Sequence, residues 1–170
     1  MKQLFVLAFA MIFLIPMART AFAAPAPQAP QTAQPIPSKP TRLSIRGIVH
    51  STETYSTAFP TMLVTASGWG EVSELGRFTV NYETEMNLLD LSGVESAHFV
   101  GANGNSLHAK GLGQASQDQT PGIFQVIEIY TITGGTGRFA NASGTLTLKR
   151  VVDWATGSTA GTLDGFILIP

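Results

Sequence analysis

The sequence predicts an all-β fold: a small antiparallel barrel of about eight strands, with a β-sandwich as the alternative. Three observations carry this expectation. Beyond residue 41 the apolar residues recur with period two, as on half-buried strands. All 17 glycines fall between Gly47 and Gly165, punctuating that alternation. No stretch after residue 41 holds a helical period.

Strands are expected at 42–49, 61–67, 77–86, 94–100, 106–115, 123–132, 144–154 and 159–169. Over 77–86, Phe78, Val80, Tyr82 and Met86 share one face, and Arg77, Thr79, Asn81, Glu83 and Glu85 share the other. Glu83 and Glu85 then read as a solvated surface and not as an acid–base pair. Ala102-Asn103-Gly104-Asn105 is a hairpin signal, because Asn-Gly tolerates the positive φ of a tight turn. A two-residue loop centred on Asn103-Gly104 would set His98 opposite Ala109 and His108 opposite Phe99. The two histidines would then point to opposite faces and could share no metal, unless a one-residue bulge intervenes. Segment 123–132 is apolar on both faces, as for a strand covered on both sides. Gly134, Gly135, Gly137 and Gly144 mark a reversal in which at least one of the first three takes φ > 0. Over 144–154, Leu146, Leu148, Val152 and Trp154 oppose Thr145, Thr147, Lys149 and Asp153, and residues 155–158 supply the next turn.

Ahead of this domain (42–170) lie two segments of different composition. Residues 1–23 read as a secretory signal peptide: Lys2, an apolar run from Leu4 to Ala18, and the small-x-small site Ala21-Phe22-Ala23. The alternative, an uncleaved anchor, needs a longer run than this one, which also contains Pro16. Residues 24–41 hold six of the 10 prolines among Ala, Gln and Thr, a composition that stays extended and solvated as a tether. The expected location is therefore extracellular or periplasmic, with no stable membrane insertion once the leader is cleaved.

Composition removes several function classes. The chain of 170 residues is 44% hydrophobic and 12% charged, too apolar for intrinsic disorder. Without cysteine it has no disulfide scaffold, thiol nucleophile or thiolate metal site. A formal charge of −1 gives no strong pull toward nucleic acid, and it becomes slightly more acidic when Lys2 and Arg19 leave with the leader. No metal or cofactor is expected.

Most motifs with a chemical look have a structural explanation. Gly134-Gly135-Thr136-Gly137 is followed by Arg138-Phe139 and another β segment, so it lacks the helix and Lys-Ser/Thr pair of a phosphate loop. Asn141-Ala142-Ser143 is a formal glycosylation sequon. Neither a Gly-x-Ser-x-Gly elbow nor a Ser-His-Asp order is present. The nearest thing to a site comes from two apolar stripes. Phe124, Val126, Tyr130 and Ile132 are interrupted only by Glu128, and Leu146, Leu148, Val152 and Trp154 only by Arg150. A reversal centred at residue 139 would set Glu128 directly opposite Arg150. The expectation is an inward-facing ion pair with the Tyr130 hydroxyl nearby, an anchor for the polar end of a ligand; the alternative turns one stripe to solvent. If the pair is buried, Glu128→Leu and Arg150→Leu should each destabilise strongly, and the double variant should recover much of the loss.

Around that reversal, residues 132–148 read Ile-Thr-Gly-Gly-Thr-Gly-Arg-Phe-Ala-Asn-Ala-Ser-Gly-Thr-Leu-Thr-Leu. This resembles the Gly-Gly-Thr-Gly-x-Phe-x-x-Ala-x-Gly signature of the allene oxide cyclase and dirigent barrels. The wider layout is similar to small secreted bacterial relatives of unassigned role, through Leu75–Thr79 and the Phe99–Leu107 hairpin. The resemblance implies an eight-stranded antiparallel barrel with an apolar lumen, and a trimer as homo-oligomer. It transfers fold more than activity, since the glycine signature is a folding feature. The plant cyclase has a cysteine placed near its lumen, which this chain lacks, and no motif here carries over the acids and arginine of dirigent proteins. The expected function is a secreted non-catalytic barrel binding a small apolar molecule, with a cofactor-free cyclase or isomerase, or a dirigent-type coupling protein, as the alternative.

Overall fold

The structure, a computed structural model, describes residues 39–170. The expected signal peptide and nearly all of the expected tether lie outside the described residues. Eight strands follow one another: β1 (Thr41–Ala58), β2 (Thr61–Val72), β3 (Gly76–Asn87), β4 (Ser92–Gly101), β5 (Ser106–Gln117), β6 (Ile123–Gly135), β7 (Ser143–Asp153) and β8 (Ser158–Ile169). Each pairs antiparallel with the next, and β8 returns to β1, so the sheet closes on itself as a barrel and not a sandwich. A single 3-10 turn, Gly137–Phe139, interrupts the β structure among the described residues.

Alternation decides which side chains enter the lumen. On β3, Phe78, Val80, Tyr82 and Thr84 are buried, while Arg77, Thr79, Asn81, Glu83 and Glu85 face water. One half of the lumen is filled by the main core, in which Val49, Phe78, Phe99, Leu107, Ile132, Phe139, Leu146 and Ile167 interdigitate. Phe99 meets Phe78 and Tyr130 edge to face, the geometry that the ring quadrupole favours. The other half holds a much smaller cluster, Ala115, Val126 and Val152, with Met86, Leu91 and Phe124 against it. That half stays hollow.

Four expectations need correcting. β1 continues past residue 49 to Ala58, because Ser51, Glu53 and Tyr55 keep the inward alternation with polar side chains. The outer face of β6 is open: Ile127 and Ile129 are exposed, so the strand is not covered on both sides. Trp154 leaves the lumen stripe and sits half-exposed at its rim. The β4–β5 hairpin has one more loop residue than a two-residue turn. Gly101 N–H donates to the Asn105 carbonyl at 2.8 Å, with Gly104 at φ +81 between them. His98 therefore pairs with His108 on the same outer face, and their rings stack with centroids 4.4 Å apart. Among the described residues, no group of three or more His, Asp or Glu is placed to hold a metal.

The reversal after β6 depends on its glycines. Gly134, Gly137 and Gly144 take φ of +138, +57 and +143, whereas Gly135 is extended. Gly135 is needed for space instead, since a Cβ there would lie 2.1 Å from the Ser106 carbonyl oxygen.

Candidate functional site

The hollow half of the lumen is a cavity of about 320 Å³ whose walls are mostly apolar. Met62 and Val64 of β2, Met86 of β3, Val126 of β6 and Val152 of β7 supply these walls. Tyr55, Phe124 and Trp154 form an aromatic rim, with Trp154 stacked on Tyr55 at 4.3 Å. At the floor, where the cavity meets the packed core, polar groups from five strands converge.

Glu128 and Arg150 are both there. The register sets Val126, not Glu128, opposite Arg150, and Glu128 opposite Leu148, so the two are diagonal neighbours and not directly opposed. The reversal holds two residues fewer than a centre at residue 139 assumes, because the 3-10 turn tightens it. A shift by two leaves both side chains on the same face, and the long arginine spans the diagonal. Arg150 Nε donates to Glu128 Oε1 and Oε2 at 2.9 and 3.0 Å, and Nη2 donates to Oε1 as well. Glu128 is 0% exposed and Arg150 6%.

Four further members of the floor, Glu53, Tyr82, Glu95 and Thr84, lie outside the pair expected from the sequence. Glu53 of β1 accepts from Arg150 Nη1 on one oxygen and from Tyr55 at 2.9 Å on the other. Tyr82 also donates to Glu53, at 3.0 Å, and shares a 2.7 Å hydrogen bond with Ser51. The Arg150 guanidinium lies over the Tyr82 ring, 5.1 Å from its centroid. Glu95 of β4 accepts from the Tyr130 hydroxyl at 2.5 Å, so Tyr130 serves this carboxyl and not the Glu128–Arg150 pair. Its neighbours on β5 are glycines, Gly111 directly opposite and Gly113 on the diagonal, and a Cβ at Gly113 would fall 2.2 Å from Glu95 Oε1. Thr84 of β3 is the last member, directly opposite Glu95 in register. Its hydroxyl is the single buried side-chain polar atom without a hydrogen-bond partner among the described residues.

The electrostatics follow from crowding three carboxyls around one guanidinium away from water. Burial, reinforced by the charge of Glu128, pushes the Glu95 carboxyl up from 4.5 to about 8. Near neutral pH it therefore keeps its proton. Burial also raises the Tyr130 hydroxyl, helped by the charges of Glu128 and Glu95. For Arg150, burial works against the charge, but Glu128, with Tyr82 and Glu53 behind it, outweighs burial and holds the guanidinium well above its ordinary value. The floor thus offers a neutral acid beside a fixed ion-pair network, a pattern that in proteins donates a hydrogen bond or a proton.

A signal for Glu95 lies in the sequence, since Glu95 interrupts the Ala97 and Phe99 face much as Glu128 interrupts its own stripe. Glu53 has no such signal, because its face is polar on both sides, at Ser51 and Tyr55.

No family model matches the chain, and no curated protein matches it. Among solved structures it is similar to the pterocarpan synthase dirigent protein GePTS1. The TM-score is 0.59 at 14% sequence identity, over 82% of this chain and 96% of that one. The shared feature is the fold: this chain is a dirigent-like, closed eight-stranded barrel.

Proposed function

We propose that the protein is an exported barrel that binds a small, mostly apolar molecule in the hollow half of its lumen, without turning it over. The observation that carries this reading is the juxtaposition of an apolar cavity of about 320 Å³ with a buried polar floor at one end. Apolar walls with few convergent polar groups are the usual make-up of a small-molecule site. Export, extracellular or periplasmic, rests on the leader residues Leu4–Ala23, as in the small secreted bacterial relatives that the chain resembles. Assembly into trimers, as the resemblance implies, is compatible with the exposed outer residues Val94, Leu112, Ile127 and Ile129.

The test is displacement of an environment-sensitive apolar fluorophore from the purified protein. Ala115, buried against Val126 in the hollow half, is replaced by Phe to fill the space. Binding by the native chain, and its loss in Ala115→Phe with an unchanged β-sheet spectrum, is the expected outcome. Equal binding by both proteins would place the fluorophore on the outer surface and end the reading.

A second reading, a cofactor-free cyclase or isomerase, is favoured by one observation: the protonated Glu95, held by Tyr130, faces the cavity. Such an acid can donate its proton to a substrate oxygen while the lumen holds the carbon chain in a reactive conformation. Turnover abolished in Glu95→Gln with binding intact would select this reading over simple binding.

A further inference from the structure

Among the described residues, three carboxyls but only one cation line the cavity: Glu53, Glu95 and Glu128 against Arg150. Arg150 is committed to two of them, with ion pairs to Glu53 and Glu128. Glu95 has none. Directly across from Glu95 stands Thr84, which lines the same cavity and whose buried hydroxyl has no hydrogen-bond partner among the described residues. A buried polar atom left unpaired is costly, so the pair of an uncompensated carboxyl and an orphaned hydroxyl is an incomplete site. We propose that this pair receives an organic amine, its ammonium seated between the Glu95 carboxyl and the Thr84 hydroxyl and its apolar body directed toward the aromatic rim.

The proposal rests on the binding reading above and adds the class of ligand. A protonated amine brings the positive charge that the floor lacks and three N–H donors, enough for Glu95, Thr84 and one further acceptor. A ligand carboxylate would instead place a fourth acid among the three. An alcohol would satisfy Thr84 but leave the charge unanswered. Room for both side chains is built into the strands: a side chain at Gly113 would collide with Glu95 Oε1, and one at Gly93 would collide with the Thr84 methyl. On the way in, a cation would pass the aromatic side chains of Tyr55, Phe124 and Trp154, which line the cavity.

Binding also moves a proton. The charged and titratable groups around Glu95 are Glu128 and Tyr130 on β6 and Arg150 on β7, with Glu53 on β1 and Tyr82 on β3 beyond the guanidinium; Gly111 and Gly113 on β5 contribute none. An incoming ammonium adds a cation to this set and favours the ionised carboxylate, so the Glu95 proton leaves to solvent as the amine binds. Affinity then rises from acidic to mildly alkaline pH.

Calorimetric titration with three isosteric probes tests this: phenethylamine, phenethyl alcohol and phenylacetate. The amine is expected to bind roughly tenfold or more tighter than the alcohol, a charge-assisted hydrogen bond against a neutral one. Phenylacetate should show no binding. Repeating the amine titration in buffers of different ionisation enthalpy should reveal proton release near neutral pH. Thr84→Val and Glu95→Gln preserve shape, and each should reduce the amine's preference over the alcohol to within about threefold. Equal affinity for amine and alcohol in the native chain overturns the proposal and leaves the binding reading standing. Tightest binding by phenylacetate does the same. A preference that survives in both variants places the ammonium elsewhere and also overturns it. Failure of all three probes overturns the proposal together with the binding reading.

Discussion

Arg150 holds two carboxylates at once, Glu128 through Nε and Nη2 and Glu53 through Nη1. That third partner changes what substitutions at the pair should do. In Arg150→Leu, both Glu53 and Glu128 lose their cation while buried, and the loss should reach about 3–5 kcal/mol, the range for breaking a buried pair. Glu128→Leu leaves Arg150 matched to Glu53 and should cost clearly less. The double variant should recover only part of the Arg150→Leu loss, because Glu53 remains buried with tyrosine hydroxyls alone. Urea unfolding of the three proteins checks this order. If both single variants stay within about 0.5 kcal/mol of the native chain, the ion pairs contribute as little as surface charges do.

At the scale of elements, strand positions were legible and registers were not. Period-two alternation located all eight strands, because a closed barrel keeps one face of every strand dry. Where the inner face turns polar, at Ser51, Glu53 and Tyr55, that signal fades, and with it went half of β1 and one member of the site. Registers depend on how many residues each reversal consumes, which local turn geometry decides. One extra residue before Asn105 brought the histidines together, and the 3-10 turn at Gly137–Phe139 moved Glu128 off the position opposite Arg150. The even slip preserved the face, and so the ion pair survived. The glycines of that reversal differ in what they require. Gly144 combines φ +143 with a Cβ position 2.2 Å from the Phe166 carbonyl oxygen, whereas Gly134 at φ +138 has open space around it. Gly144→Val should therefore destabilise well beyond the roughly 1 kcal/mol of an average substitution. Gly134→Ala should cost less, limited to backbone strain of about 1–3 kcal/mol. Thermal melts of the two variants rank them; the reverse order would contradict the geometry.

Taken as a whole, the molecule keeps an acid un-ionised inside, and its stability should record this. Glu95 binds its proton up to about pH 8 when folded but releases it near its ordinary 4.5 when unfolded. Between those limits the folded state holds the extra proton, so stability should fall as pH rises, by up to about 1.4 kcal/mol per pH unit from this group. Glu95→Gln, which carries no titrating proton, should flatten that part of the profile. Unfolding free energies measured across the interval decide it, and a native profile with the same slope as the variant would show that Glu95 titrates normally.

Closure of the barrel also sets its assembly order. Seven of the eight pairings join strands adjacent in sequence, while the β1–β8 seam brings Thr41 opposite Ile169. Hairpins can zip locally, but the seam must wait until the last strand exists, and it alone carries the entropy of closing a loop as long as the domain. Until then β1, the longest strand and the first made, has one edge open to any other extended chain. Two surface contacts cross the seam: Arg46 to Asp164 at 3.1 Å, and Arg42 over the Phe166 ring at 3.6 Å. Seam closure, and not any single hairpin, is thus the step at which newly made chains are expected to be most open to aggregation.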